Sequence, residues 1–187
     1  MIHDTIQVRH SLLLTVIGPL LAVASDKGLV RLTFLGENYE YRPTISRLTS
    51  HFGEDTAFSE DPAAFQDLKT QLGEYFSGQR QRFDLPLDLR GSAFQLAVWR
   101  QIKKIPFGKL RSYLQIARAI KSPAATRAVG QAVGHNPICI LIPCHRVIGS
   151  DGQLVGFGGG MSLKAQLLRL EGHTLGKTPR IVAPRLF

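Results

Sequence analysis

Short apolar runs at Leu12–Val16, Leu20–Ala24 and Leu29–Leu35 open the chain, with Gly18-Pro19 and Asp26-Lys27-Gly28 between them. Runs of strand length bounded by turn residues predict a β-meander. Thr44–Phe52 has the pattern of a short helix. Asp61-Pro62 reads as an N-cap followed by proline at the first helical position. Phe65, Leu68, Leu72 and Tyr75/Phe76 then recur at helical spacing until Gly78. Phe83–Leu89 alternates as a strand. This half predicts a small α+β unit with no obvious chemistry.

From Gly91 onward the period becomes helical. Ser92 and Gln95 form a capping-box pattern, and Phe94, Val98, Ile102 and Ile105 make an apolar stripe that Pro106 stops. Ser112 is placed to cap a helix carrying Leu114, Ile116, Ala117 and Ile120. Ser122-Pro123 predicts a further capped helix running to about His135. Two short helices joined by a tight turn are the signature of a helix-turn-helix. The second of them is built of small residues, so its backbone can approach another surface closely, and Arg127, Gln131 and Gly134 share one of its faces. Asn136-Pro137 ends it. Ile138–Ile142 is a continuous apolar run, read as a buried strand leading into Pro143-Cys144-His145-Arg146-Val147. Leu163–Leu170 is helical and ends at Glu171-Gly172.

Charge sharpens this picture. The 187 residues carry a formal charge of +9, which favours a polyanionic partner such as nucleic acid or an acidic membrane surface. Residues 98–131 hold Arg100, Lys103, Lys104, Lys109, Arg111, Arg118, Lys121 and Arg127 with no acid among them, while 36–90 holds most of the Asp and Glu. One half therefore faces the anion. No apolar run approaches the roughly 18 residues of a membrane helix, so the chain reads as a soluble cytoplasmic protein, nucleoid-associated if prokaryotic. Length and the change of pattern divide it into an N-terminal α/β domain (1–90), a second, basic domain (91–172) and a tail (173–187).

The chain has two cysteines. Cys139 lies inside the apolar run and reads as a small core hydrophobe. Cys144 stands where the predicted strand gives way to irregular backbone, beside His145. A nucleophilic cysteine reacts as thiolate, so its site is expected to lower the thiol pKa. A histidine does this by taking the proton, directly or through one water, and a carboxylate orients the imidazole. Glu171 is the best candidate for that carboxylate. A Cys/His/Glu set also fits a thiol hydrolase. Gly156-Phe157-Gly158-Gly159-Gly160 lacks the Lys-Ser/Thr of a phosphate-binding loop and reads as a flexible wall over a flat ligand.

Ile142-Pro143-Cys144-His145-Arg146-Val147 resembles the active-site motif of the O6-alkylguanine-DNA alkyltransferases, the methylated-DNA–protein-cysteine methyltransferases. Phe94-Gln95-x-x-Val98-Trp99, Phe107-Gly108, Ser112-Tyr113, Arg127-Ala128-Val129-Gly130, Asn136-Pro137 and Leu167-Leu168-x-x-Glu171-Gly172 resemble that family too. The match runs over about 91–172. The first ninety residues resemble the family's variable ribonuclease-H-like domain only in outline.

The resemblance implies a small ribonuclease-H-like N-terminal domain and a mostly helical C-terminal domain with a helix-turn-helix. It implies single-turnover transfer of an alkyl group from O6-alkylguanine, and from O4-alkylthymine, in duplex DNA to Cys144. By the same resemblance His145 activates Cys144 through water and Glu171 holds His145. Asn136 braces the turn, and Tyr113 serves the departing guanine. Arg127 fills the space left by the flipped nucleotide, with Ser112, Ala128 and Gln131 also on the DNA, and the helix enters the minor groove. Val147, Val155, Phe157, Gly158, Gly159 and Gly160 form the substrate pocket, and the carbonyls of Cys144 and Val147 accept from the guanine amine. Gly158 stands where several relatives carry Ser or Ala, and Phe157 replaces a tyrosine. Some relatives bind zinc through N-terminal cysteines and histidines. No cysteine precedes Cys139 here, so no metal and no cofactor are expected, and the protein is expected to act as a monomer. The rival readings are a DNA-binding damage sensor without chemistry, which Cys144 argues against, and the thiol hydrolase, which the helix-turn-helix argues against.

Overall fold

The computed structural model describes residues 6–36, 40–52, 56–176 and 180–181. Positions 177–179 and 182–187 of the expected tail lie outside the described residues. The N-terminal half is a four-stranded sheet of order β3-β2-β1-β4. Strands β1 (Ile6–Thr15), β2 (Gly18–Ser25) and β3 (Gly28–Phe34) form the expected antiparallel meander, and β1 reaches further back than its apolar run. The fourth strand, β4 (Thr56–Glu60), pairs parallel to β1. The hydrophobic pattern did not show it, because a five-residue edge strand with two apolar side chains has little periodicity to read.

Strand alternation sends β2 into two cores. Leu21 and Val23 meet Val8, Val30 and helix α1 (Arg42–Phe52) through Leu48 and Phe52 on one face. Leu20 and Ala22 point to the other face, into a core shared by both halves of the chain. There they meet Leu68, Leu72 and Tyr75 of α2 (Gln66–Phe76), and Val98, Trp99 and Ile102 of α3 (Ala93–Lys103). Asp61 caps the turn before α2 as its sequence predicts, accepting from the amides of Ala63 and Ala64. Phe83–Leu89 is not a strand of a sheet. It runs extended beside β3 with a single bridge from Leu87 to Leu29, since Pro86 has no N–H to continue a ladder. Gly28, at φ 139°, is required there because a Cβ would lie 2.4 Å from the Pro86 carbonyl oxygen.

Helices α4 (Tyr113–Ala119) and α5 (Thr126–Gly134) form the helix-turn-helix on α3. Both predicted capping boxes are present, Ser92 with Gln95 and Ser112 with Gln115. Ser122 departs from expectation. Its side chain makes no cap, and a 3-10 turn, Pro123–Ala125, precedes α5 instead. Strands β5 (Arg111–Ser112) and β6 (Val147–Ile148) pair in parallel, and α6 (Met161–Leu170) closes the fold. Among the described residues no helix is long and apolar enough to cross a membrane.

Candidate active site

The stretch Ile138–Ile142 is buried as predicted, but it is a turn and not a strand. Only Ile138 bridges to Leu32 of β3, and Ile140 takes a left-handed φ of 70°. A β-branched residue there is strained, and its burial at 1 % exposure holds it in place. The Ile142 amide donates to the Ile138 carbonyl at 3.0 Å, coiling the chain back on itself. Asn136 braces this coil from both sides, its Nδ2 donating to the Ile142 carbonyl at 2.7 Å and its Oδ1 accepting from the Ile138 amide at 3.1 Å. The next turn, Cys144–Arg146, is 3-10.

His145 and Glu171 meet, and Cys144 precedes His145 in the same 3-10 turn. His145 is fully buried, and its Nε2 lies 2.8 Å from Glu171 Oε1. Burial pushes the imidazole below its ordinary pKa, although Glu171 pulls the other way. The ring is therefore neutral, with Nε2–H donating to the carboxylate; this tautomer is assigned from the network. Nδ1 is buried with no hydrogen-bond partner among the described residues, so its lone pair is open to accept a proton. Burial alone would raise the Glu171 carboxyl, but His145 and Arg146 hold it well below the usual carboxylate range.

The thiol differs from expectation. Cys144 is 7 % exposed. Burial pushes its thiol above the ordinary value, against the Asn136 hydrogen bond and the Lys164 charge, which favour the anion. The resting sulfur is thus a thiol, and the anion forms when a base takes its proton. Cys139 is likewise pushed up by burial, and both cysteines are free.

Three residues the sequence reading left without a role complete the site. Arg146 lies against Glu171 with Nε at 2.9 and 3.1 Å and Nη2 at 2.8 Å, and its Nη1 donates to the Ile105 carbonyl. Tyr75, from the N-terminal half, donates its hydroxyl to Glu171 Oε1 at 2.8 Å. Burial raises that phenol, so it remains a donor. Lys164 is fully buried with no carboxylate partner among the described residues, and its Nζ donates to the carbonyls of Val147 at 2.7 Å and Val155 at 2.8 Å. Burial lowers its amine to about 8, against the pull of Cys144. One signal was legible. Lys164, Leu167, Leu168 and Glu171 share a helical stripe, and a charge on a buried stripe needs a reason.

The remaining predicted residues divide. Tyr113 donates to the Val155 carbonyl at 3.0 Å, and burial raises its phenol to about 12. Val155 is thus held from two sides, by Tyr113 and Lys164. Gly158 is open, with nothing near its missing Cβ, while Gly159 packs against Phe34 and Phe157. Phe157 itself turns toward Phe34, with ring centroids 6.3 Å apart. Val147 is fully buried, backbone carbonyl as well as side chain. That carbonyl already accepts from Lys164, and the Cys144 carbonyl accepts from the Val147 amide, which leaves each a second lone pair. Arg127 and Gln131 of α5 are exposed and Ala128 partly so. Ser112 does not belong on a DNA-facing surface. It is 4 % exposed and its hydroxyl accepts from the Gln115 amide, because capping α4 consumes it.

A buried cysteine backed by a histidine–carboxylate pair, next to a helix-turn-helix, places the protein among DNA-binding proteins with a nucleophilic cysteine. Comparison makes the class specific. Residues 93–173 match the DNA-binding domain of 6-O-methylguanine DNA methyltransferase, and 8–89 match its ribonuclease-like domain. The chain belongs to this family. It is 48 % identical over 155 residues to the methylated-DNA–protein-cysteine methyltransferase of Mycolicibacterium paratuberculosis, covering 83 % of this chain and 87 % of the relative. It superposes on the O6-methylguanine methyltransferase of Mycobacterium tuberculosis with a TM-score of 0.76 at 43 % identity, covering 88 % and 92 % of the two chains. A structure of the Mycobacterium tuberculosis protein in complex with DNA matches with the same TM-score at 42 % identity, covering 91 % and 95 %.

Proposed function

We propose that Cys144 is the sulfur that accepts the alkyl group, taking it from the O6 of a guanine swung out of duplex DNA. Family membership makes the chain a DNA-repair methyltransferase that transfers alkyl groups to a cysteine. The observation that carries the assignment of Cys144 is the neighbouring His145, neutral, anchored at Nε2 by Glu171 and open at Nδ1. Cys144 gives its proton to that nitrogen through a bridging water. The Lys164 charge and the Asn136 amide stabilise the resulting thiolate. The sulfur then attacks the alkyl carbon. A C–S bond forms, the C–O6 bond breaks, and guanine leaves with the electron pair. Tyr113, which keeps its proton through neutral pH, hydrogen-bonds the departing base. The thioether product resists water, so each molecule acts once.

The target atom lies inside the stack, so the base is extruded, at a cost of a few kcal/mol. Arg127 on the exposed face of α5 fills the gap, and the small residues around it let the helix sit deep in the minor groove. One chain suffices, acting where the cell keeps its DNA in cytoplasm or nucleoid. No metal or cofactor takes part. The test is peptide mapping after incubation with an oligonucleotide duplex containing O6-methylguanine. One methyl on Cys144, and none in Cys144→Ala, is expected. Methylation of Cys139, or methylation that persists in Cys144→Ala, rejects the assignment.

A further inference from the structure

Arg100, Lys103 and Lys104 belong to the acid-free basic stretch, yet the helix-turn-helix does not use them. With Arg82 they line a cleft of about 810 Å³ that no acidic residue lines. None of the four side chains makes an ion pair or hydrogen bond among the described residues. The rest of the lining is largely apolar, and Phe83, Ala97, Pro106 and Ile120 present its accessible surface. Helix α3 separates this cleft from α5. Its Val98, Trp99 and Ile102 are buried, and Trp99 Nε1 donates to the Ala132 carbonyl of α5 at 2.8 Å. Ala97, Arg100, Gln101 and Lys104 lie on the opposite stripe of the helix and line the cleft.

We propose that this cleft binds a single-stranded segment of nucleic acid, on the side of α3 away from the recognition helix α5. Unpaired cations around a concave apolar surface fit a strand whose phosphates lie on the rim and whose base faces rest on the floor. A duplex offers neither, since its bases are stacked and its phosphate surface is convex. The inference rests on the proposed function only in taking nucleic acid as the partner class.

The test uses the full chain and a fluorescein-labelled oligothymidylate, followed by anisotropy across a salt series. The triple variant R100S/K103S/K104S is expected to bind it at least tenfold more weakly. Each phosphate contact on a single strand contributes about −0.7 to the slope of log affinity against log salt, so three lost contacts reduce that slope by about 2. The triple variant keeps its duplex affinity within about twofold, whereas Arg127→Ala shows the reverse pattern. Unchanged oligothymidylate binding overturns the proposal, and so does an equal loss on duplex and single strand. Competition by a polyglutamate of equal charge as effective as that by unlabelled oligothymidylate also overturns it, because the cleft then reads charge alone. Alkylation by free O6-benzylguanine is measured in parallel. It stays at the parent rate in the triple variant, which shows that the variant is folded. Its absence in the parent counts against Cys144 chemistry and leaves the cleft standing.

Discussion

Inside the active site nearly every polar atom has a protein partner, whereas the outer face of α5 has almost none. Glu171 receives His145, Arg146, Tyr75 and the Gly108 amide. Asn136 and Lys164 each make two hydrogen bonds to backbone. The buried exception is His145 Nδ1, where the proposed proton goes. On α5, by contrast, Arg127 and Gln131 are exposed, and no side-chain hydrogen bond of theirs is seen among the described residues. The interior network is therefore complete without DNA, and the exposed face of α5 stays open for the partner proposed above. Interior substitutions should cost stability and reactivity together. A substitution on α5 should cost function on duplex alone.

The sharpest attempt to break that contrast is Glu171→Gln. It leaves the buried Arg146 without its counter-charge, which costs about 3–5 kcal/mol, and lets His145 turn, slowing alkylation by free O6-benzylguanine by about 100-fold. Urea unfolding and the free-base reaction measure the two losses; a stability change under about 1 kcal/mol would show the network to be slack. Acid titration reports on the same group. Its folded carboxyl lies below the unfolded value of about 4.3, so its stabilisation is complete above that value and fades as pH falls toward the folded one.

Lys164→Met comes next. It keeps a long apolar stem but strands the carbonyl of Val147, while Val155 keeps its bond from Tyr113, at a cost of about 1–3 kcal/mol. The folded amine titrates at about 8, and the unfolded one at about 10.4. Between these values the unfolded chain holds more protons, so this residue makes stability rise with pH across that window. Thermal melts from pH 8 to 10 should show the rise in the parent and not in the variant. Tyr75→Phe removes one hydroxyl from Glu171 and leaves the ring, costing about 1 kcal/mol and slowing the free-base reaction a few-fold. No change in that rate would detach the N-terminal half from the site. Arg127→Ala has the smallest effect on stability, within about 0.5 kcal/mol. It slows repair of duplex about tenfold, a loss of about 1.4 kcal/mol in the transition state, and leaves the free-base rate untouched. Equal slowing of both substrates would remove Arg127 from the recognition face.

The same contrast explains what could be read from the sequence. Capping at Ser92 and Ser112, the helical stripes and the exposed face of α5 are local patterns, and each was legible. Cys144, His145 and Glu171 were singled out by chemical type and resemblance. Lys164, Arg146 and Tyr75 act through partners distant in sequence, Tyr75 reaching Glu171 across 96 residues. No periodicity encodes such a pairing. The turn at Ile138–Ile142 was hidden for a related reason. Its side chains favour a strand, and the Asn136 brace together with docking on Leu32 overrides that preference.

The central claim is that a buried, protonated thiol becomes a nucleophile only by giving its proton to His145. The direct measurement is the rate of Cys144 alkylation by free O6-benzylguanine against pH, in the parent and in His145→Gln. The parent should react readily at pH 7, with the variant about 100-fold slower there and recovering as pH rises past the ordinary thiol range, where hydroxide replaces the missing base. A variant that matches the parent at pH 7 would contradict the account.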